Sequence, residues 1–203
     1  DSGLVVKSED FIKTNPTRIA PAVLKQSYEN VVFTSQNAVE SLLKHTTADS
    51  LNFKNIYCVG RKTKRLVESN IAPVMFTTSN AKKLAEHLVE FMEGTAVTYF
   101  CSNLRMDQLP DILSANNISV SEIESYKTKY APVEIPESVE GVLFYSPSGI
   151  DSYLQKNSVN KIAYCIGETT ATHARKHFKD VYVAKFPSVE SVIELVNANY
   201  QTS

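Results

Sequence analysis

A chain of 203 residues has room for one large or two small domains, and 43% hydrophobic against 21% charged residues is the balance of a globular protein. The formal net charge of −1 argues against a dedicated nucleic-acid binder, and no apolar run approaches the roughly 20 residues that cross a bilayer. Cys58, Cys101 and Cys165 are an odd set without C-x-x-C spacing, so buried reduced thiols, a cytoplasmic location and no metal site are expected.

In chain order, short β-branched runs predict strands at residues 4–7, 31–34, 56–59, 74–77, 97–100, 120–126, 142–145, 162–166 and 181–184. Between them, apolar residues recur at helical spacing over 38–44, 63–69, 81–92, 106–116, 150–155, 170–176 and 189–200. Strand and helix alternate, which predicts an α/β fold with parallel sheets. The strands are apolar throughout rather than every second residue, so helices are expected on both faces.

The chain also repeats itself. VVFTSQNAVESLL from Val31 parallels VLFYSPSGIDSYL from Val142, and IYCVGRKTKRLVE from Ile56 parallels AYCIGETTATHAR from Ala163. A third pair, PVMFTTSNAKKLAEHL and DVYVAKFPSVESVIEL, follows in the same order. Two similar domains are therefore expected. Residues 16–125 form one, inserted into a discontinuous partner made of 1–12 and 131–203. The connections at 11–14 and 126–130 would pair as a two-stranded antiparallel ladder acting as a hinge. The discontinuous domain has four predicted strands against five, so a β-α unit is expected upstream of Asp1.

Each repeated motif is a strand-to-helix corner: Ser35, Gln36 and Asn37; residues 60–63; Ser146, Pro147, Ser148 and Gly149; residues 167–170. In open parallel sheets ligands bind beyond the carboxyl ends of the strands. A helix start offers free N–H groups and favours an anion by about 0.3–1 kcal/mol. A Ser before a helix also serves simply as its cap, and that reading stays open for each corner. Four corners on two facing domains would line a cleft suited to a ligand with several carboxylates or phosphates.

FTSQNAV, the Gly60 to Thr63 turn, VTYFCSNLRMDQLPDIL running to ISVSEIESYKTKY, then LFYSPSGI and CIGETTATHA resemble, in that order, the uroporphyrinogen-III synthase family. The resemblance implies two flavodoxin-like domains joined by a two-stranded ladder. It also implies conversion of hydroxymethylbilane, a linear tetrapyrrole polycarboxylate, to uroporphyrinogen III with loss of water and inversion of ring D, without cofactor. The expected enzyme is a monomer, binds neither nucleic acid nor membrane, and takes its substrate from the preceding deaminase. By the same resemblance Tyr126 is the candidate for donating a proton or hydrogen bond to the departing hydroxyl; packing over the hinge is its other reading. Ser35, Asn37, Thr63, Ser102, Asn103, Ser146, Ser148, Gly149, Thr169 and Thr170 are placed as substrate-binding groups. Where the family often has proline, this chain has Gln36 and Glu168, and an acid at 168 would repel a polyanion unless it points away. Arg105 is a candidate partner for a substrate carboxylate, whereas Lys64 and Arg65 read as a solvated helix face. His173 and His177 read as solvent-exposed, having no evident third ligand or base. A two-lobed anion-binding protein without catalysis is the alternative function.

Overall fold

The structure, a computed structural model, describes residues 4–92 and 94–201. By contacts the chain divides into two compact units, one of Thr14–Thr128 and one of Asp1–Lys13 with Lys129–Ser203.

In the continuous unit β1 (Ile12–Pro16), α1 (Pro21–Leu24), β2 (Ser27–Phe33) and α2 (Gln36–Leu43) come first. They are followed by β3 (Asn52–Val59), α3 (Arg61–Asn70), β4 (Phe76–Thr78), α4 (Ala81–Phe91), β5 (Ala96–Ser102), α5 (Gln108–Ala115) and β6 (Ser119–Tyr130). The sheet runs β1-β6-β5-β2-β3-β4, parallel from β6 to β4. The Thr17 amide donates to the Ser125 carbonyl at 2.9 Å and the Ala131 amide to that of Phe11 at 2.8 Å, a pairing in opposite directions that makes β1 antiparallel to β6.

Counted from β2 to β6, the parallel strands lie in the order 3-2-1-4-5. This corrects the flavodoxin-like expectation, whose order is 2-1-3-4-5. Periodicity marks where strands occur, but the order depends on which edges pair after each crossover.

Strand alternation divides the core between the two faces. Val31 and Phe33 of β2 pack with Ala38, Val39 and Leu42 of α2, while Val32 between them packs with Leu84, Ala85 and Leu88 of α4. Both helices turn their i, i+1 and i+4 positions inward, the stripe that a 3.6-residue period lays along one side. One departure interrupts β6: Phe100 pairs with Ile123 and Cys101 with Glu124, but Ser102 pairs with Tyr126. Ser125 is thus an extra residue, a β-bulge.

The second unit contains β7 (Gly141–Phe144), α6 (Pro147–Tyr153), β8 (Ile162–Cys165), α7 (Glu168–Ala174), β9 (Val181–Val183) and α8 (Val189–Gln201). Its three strands are parallel in the order β7-β8-β9, matching the path of β2-β3-β4 through the repeated sequence. The segment leading into β7 is pinned by Asn157, which accepts from the Ile135 amide and donates to the Val133 carbonyl, both at 2.8 Å. The strand expected at residues 4–7 is not formed. Val5 and Val6 are 89% and 72% exposed, and without a ladder partner β-propensity alone does not hold an extended segment. No helix among the described residues is long and apolar enough to cross a membrane.

Candidate functional site

The four repeated corners fold as two kinds. At the serine corners the bland reading operates. The Ser35 hydroxyl caps α2 by accepting from the Asn37 amide at 3.1 Å, and the Ser146 hydroxyl caps α6 by accepting from the Gly149 amide at 3.2 Å. The Ser148 hydroxyl lies 3.1 Å from that of Ser146, so the pair forms a small half-buried cluster.

The glycine corners have no side-chain cap. Gly60 precedes α3 and Gly167 precedes α7, leaving the first N–H groups of both helices without a side-chain acceptor. Thr63 and Thr170 are buried behind these turns, whereas Thr169 is exposed. The exposed Arg61 and Lys62 add positive charge beside the first N–H groups of α3. Glu168 is drawn along α7 into an ion pair with Arg175, which offsets its charge at the opening of that helix.

The loop after β5 engages its polar side chains within its own unit. The Ser102 hydroxyl is buried and accepts from the Leu104 amide at 3.1 Å. The Asn103 side chain clamps β6, accepting from the Thr128 amide at 2.7 Å and donating to its carbonyl at 3.3 Å. Arg105 is no free cation. Its Nε and Nη2 hold both oxygens of Glu122 at 2.6 Å, and Nη1 holds Asp107 at 2.5 Å. The hydrogen bonds that the guanidinium donates to Glu122 come first in raising its pKa further above the ordinary value. Asn103 and Arg105 are engaged with β6 because loop and strand carry mutually complementary groups, which residue type alone does not reveal.

Tyr126 is 9% exposed and packs among Phe33, Ala38, Leu42 and Phe100. It lines a cavity of about 40 Å³ together with Asn15, Asn37, Glu40, Ser41 and Lys44. That is room for a water molecule. Among the described residues its hydroxyl has no hydrogen-bond partner. A nearly buried phenol without a hydrogen-bond partner among the described residues thus stands beside the corner residue Asn37.

Two groupings escaped the sequence. Ser41 and Ser125 are 1% and 0% exposed, and the Ser41 hydroxyl donates to the Ser125 carbonyl. A signal was available, since Ile123 and Tyr126 are both apolar at a spacing that a regular strand would put on opposite faces. His173 also differs from its solvent-exposed reading. It is half-buried, and its Nε2 lies 2.6 Å from Asp151, which in turn accepts from the Tyr130 hydroxyl at 3.4 Å. Asp151 stands on α6 and His173 on α7, so only the packing of those helices introduces them.

Residues 3–194 match the family model described as Uroporphyrinogen-III synthase HemD. No curated protein matches the chain significantly. Among solved structures, the chain is similar to uroporphyrinogen-III synthetase from Helicobacter pylori, with 21% identity, TM-score 0.67, and 93% of this chain covering 91% of that one. It is also similar to a mutant uroporphyrinogen III synthase from Thermus thermophilus, with 15% identity, TM-score 0.71, and 95% of this chain covering 88% of that one. At such identities the likeness is one of fold. The family match spans nearly the whole chain, and the α/β architecture agrees with it: the chain belongs to the uroporphyrinogen-III synthase family.

Proposed function

We propose that the chain cyclises hydroxymethylbilane to uroporphyrinogen III, with Tyr126 assisting departure of the ring-A hydroxyl and the glycine corners taking substrate carboxylates. Loss of that hydroxyl, which leaves as water with one proton supplied, gives an electrophilic azafulvene. The substituted carbon of ring D attacks it to form a spiro intermediate. Breaking one bond at the spiro carbon and reclosing at the neighbouring position inverts ring D. The proton lost from ring D balances the one taken up by the leaving group.

The observation that supports this reading is Tyr126, 9% exposed and lining a water-sized cavity beside Asn37, with a hydroxyl that has no hydrogen-bond partner among the described residues. The contribution of Tyr126 is a directed hydrogen bond that strengthens as negative charge develops on the leaving oxygen. The uncapped N–H groups of α3 and α7 supply fixed donors to carboxylates at little reorganisation cost. A hundredfold preference for the inverted product requires only about 2.7 kcal/mol of differential transition-state stabilisation, within reach of a site that holds a flexible chain in one spiral.

In this reading the two units descend from one duplicated domain, and the protein acts as a cytoplasmic monomer receiving substrate from the deaminase that precedes it. To test the activity, hydroxymethylbilane is generated in situ with the protein present, the products are oxidised and the porphyrin isomers separated. Isomer III should predominate; isomer I at the level seen without protein refutes the proposal. Tyr126→Phe should lower kcat at least tenfold with the thermal midpoint unchanged, and an unaltered rate removes the role given to this residue.

A further inference from the structure

Tyr126 faces its cavity only because the strand carrying it breaks step. In a regular strand successive side chains alternate between faces. Phe100 and its partner Ile123 lie on the α2 side of the sheet, while Tyr99 and Cys101 and their partners Glu122 and Glu124 lie on the other. Continued alternation would place Ser125 on the α2 side and Tyr126 with Glu122 and Glu124. The extra residue at Ser125 reverses the parity, so Tyr126 pairs with Ser102 and joins Phe100, Ile123 and Leu42.

A bulge buried in a parallel ladder is costly unless its displaced backbone groups find partners. Here they do. The Ser125 hydroxyl donates to the Cys101 carbonyl at 3.2 Å, at the point where the register shifts. The Ser125 carbonyl accepts from the Thr17 amide at 2.9 Å and from the Ser41 hydroxyl. Just past the bulge, the Asn103 side chain supplies Thr128 with a substitute for ladder pairing. Ser41 stands on α2, one turn beyond Asn37, so the helix that frames the cavity is tied directly to the residue preceding Tyr126.

We propose that Ser41 and Ser125 are positioning residues for the reaction: they hold the bulge that turns Tyr126 toward α2, and neither needs to touch substrate. This rests on the reading of Tyr126 given above. The decisive comparison is Ser41→Ala and Ser125→Ala, each in the wild-type and Tyr126→Phe backgrounds, assayed for isomer III formation. In the wild-type background each should lower kcat about tenfold with KM held within twofold. In the Tyr126→Phe background each should lower it by less than twofold more, because the group they aim is already gone. Where Tyr126→Phe itself lowers kcat, equal losses in both backgrounds, or full kcat in the single serine variants, overturn the inference.

A second readout separates this idea from the role of Tyr126 itself. With ring-labelled tyrosine, the Tyr126 resonance is identified by its absence from the Tyr126→Phe spectrum, and Ser41→Ala should shift or broaden it. If Tyr126→Phe keeps the wild-type rate, the catalytic reading of Tyr126 fails, and the resonance alone decides the positioning. A moved signal supports it; an unmoved one in both serine variants ends it.

Discussion

Replacing Gly60 and Gly167 with alanine, one at a time, tests two corners that occupy matching places in the repeat. Gly60 has φ +85° and ψ 140°, a region that residues with a Cβ seldom enter. The cost there is not a clash, since an added Cβ would meet only Thr63 Oγ1 at 4.0 Å. Holding an alanine in that conformation costs about 1–3 kcal/mol. For a chain of this length that is a fall in thermal midpoint of about 2–12 °C. Gly167 has φ −173° and ψ 174°, ordinary extended backbone, with nothing within 4 Å of an added Cβ. Alanine there restricts the unfolded chain without straining the folded one, so a gain of about 0.4–1 kcal/mol is expected. Gly141 gives a third mechanism, because its added Cβ would lie 2.6 Å from the fully buried ring of Tyr164. Overpacking of that kind costs about 1–3 kcal/mol. Urea unfolding of the three variants, with the slope monitored to keep the unfolded states comparable, should rank Gly167→Ala at or above wild type and the other two below. A Gly60→Ala protein as stable as wild type, or a loss above about 1 kcal/mol in Gly167→Ala, refutes the conformational argument.

Arg105→Ala should lower stability by about 1 kcal/mol, the upper end for an exposed ion pair, because the guanidinium grips Glu122 with two nitrogens. KM for hydroxymethylbilane should stay within twofold; a tenfold rise would return Arg105 to the role of substrate cation. Burial pushes the thiol of Cys58 up to about 12 and those of Cys101 and Cys165 up to about 11. Since the folded values are raised, the stabilisation is complete below the unfolded thiol value near 9 and is lost as pH climbs toward 11–12. Denaturant midpoints should therefore fall above pH 9, and a thiol reagent at pH 8 should label no cysteine until the chain is unfolded. Prompt labelling of the native protein would contradict the burial of all three.

The repeat and the apolar periodicities were written in the sequence by themselves, because each reports which residues must leave water. Ala38, Val39 and Leu42 announce the inner stripe of α2, and the uninterrupted apolar run in β2 announces a strand covered on both faces. The serine caps were equally legible, since a Ser before a helix has one dominant local use. What the sequence could not supply was anything requiring a partner distant along the chain. Residues 4–7 have the composition of a strand but join no ladder, and the strand order depends on crossovers that no local pattern records. Arg105 has the chemistry of a carboxylate binder, yet Glu122 and Asp107 occupy it once β6 is laid beside β5. Tyr126 faces α2 only through one extra residue in β6, stabilised by a hydroxyl from α2 and an amide from beyond β1. A side chain's type is a local property, while its direction and its free hydrogen-bonding capacity are settled only after the backbone groups of several strands and helices have found their partners.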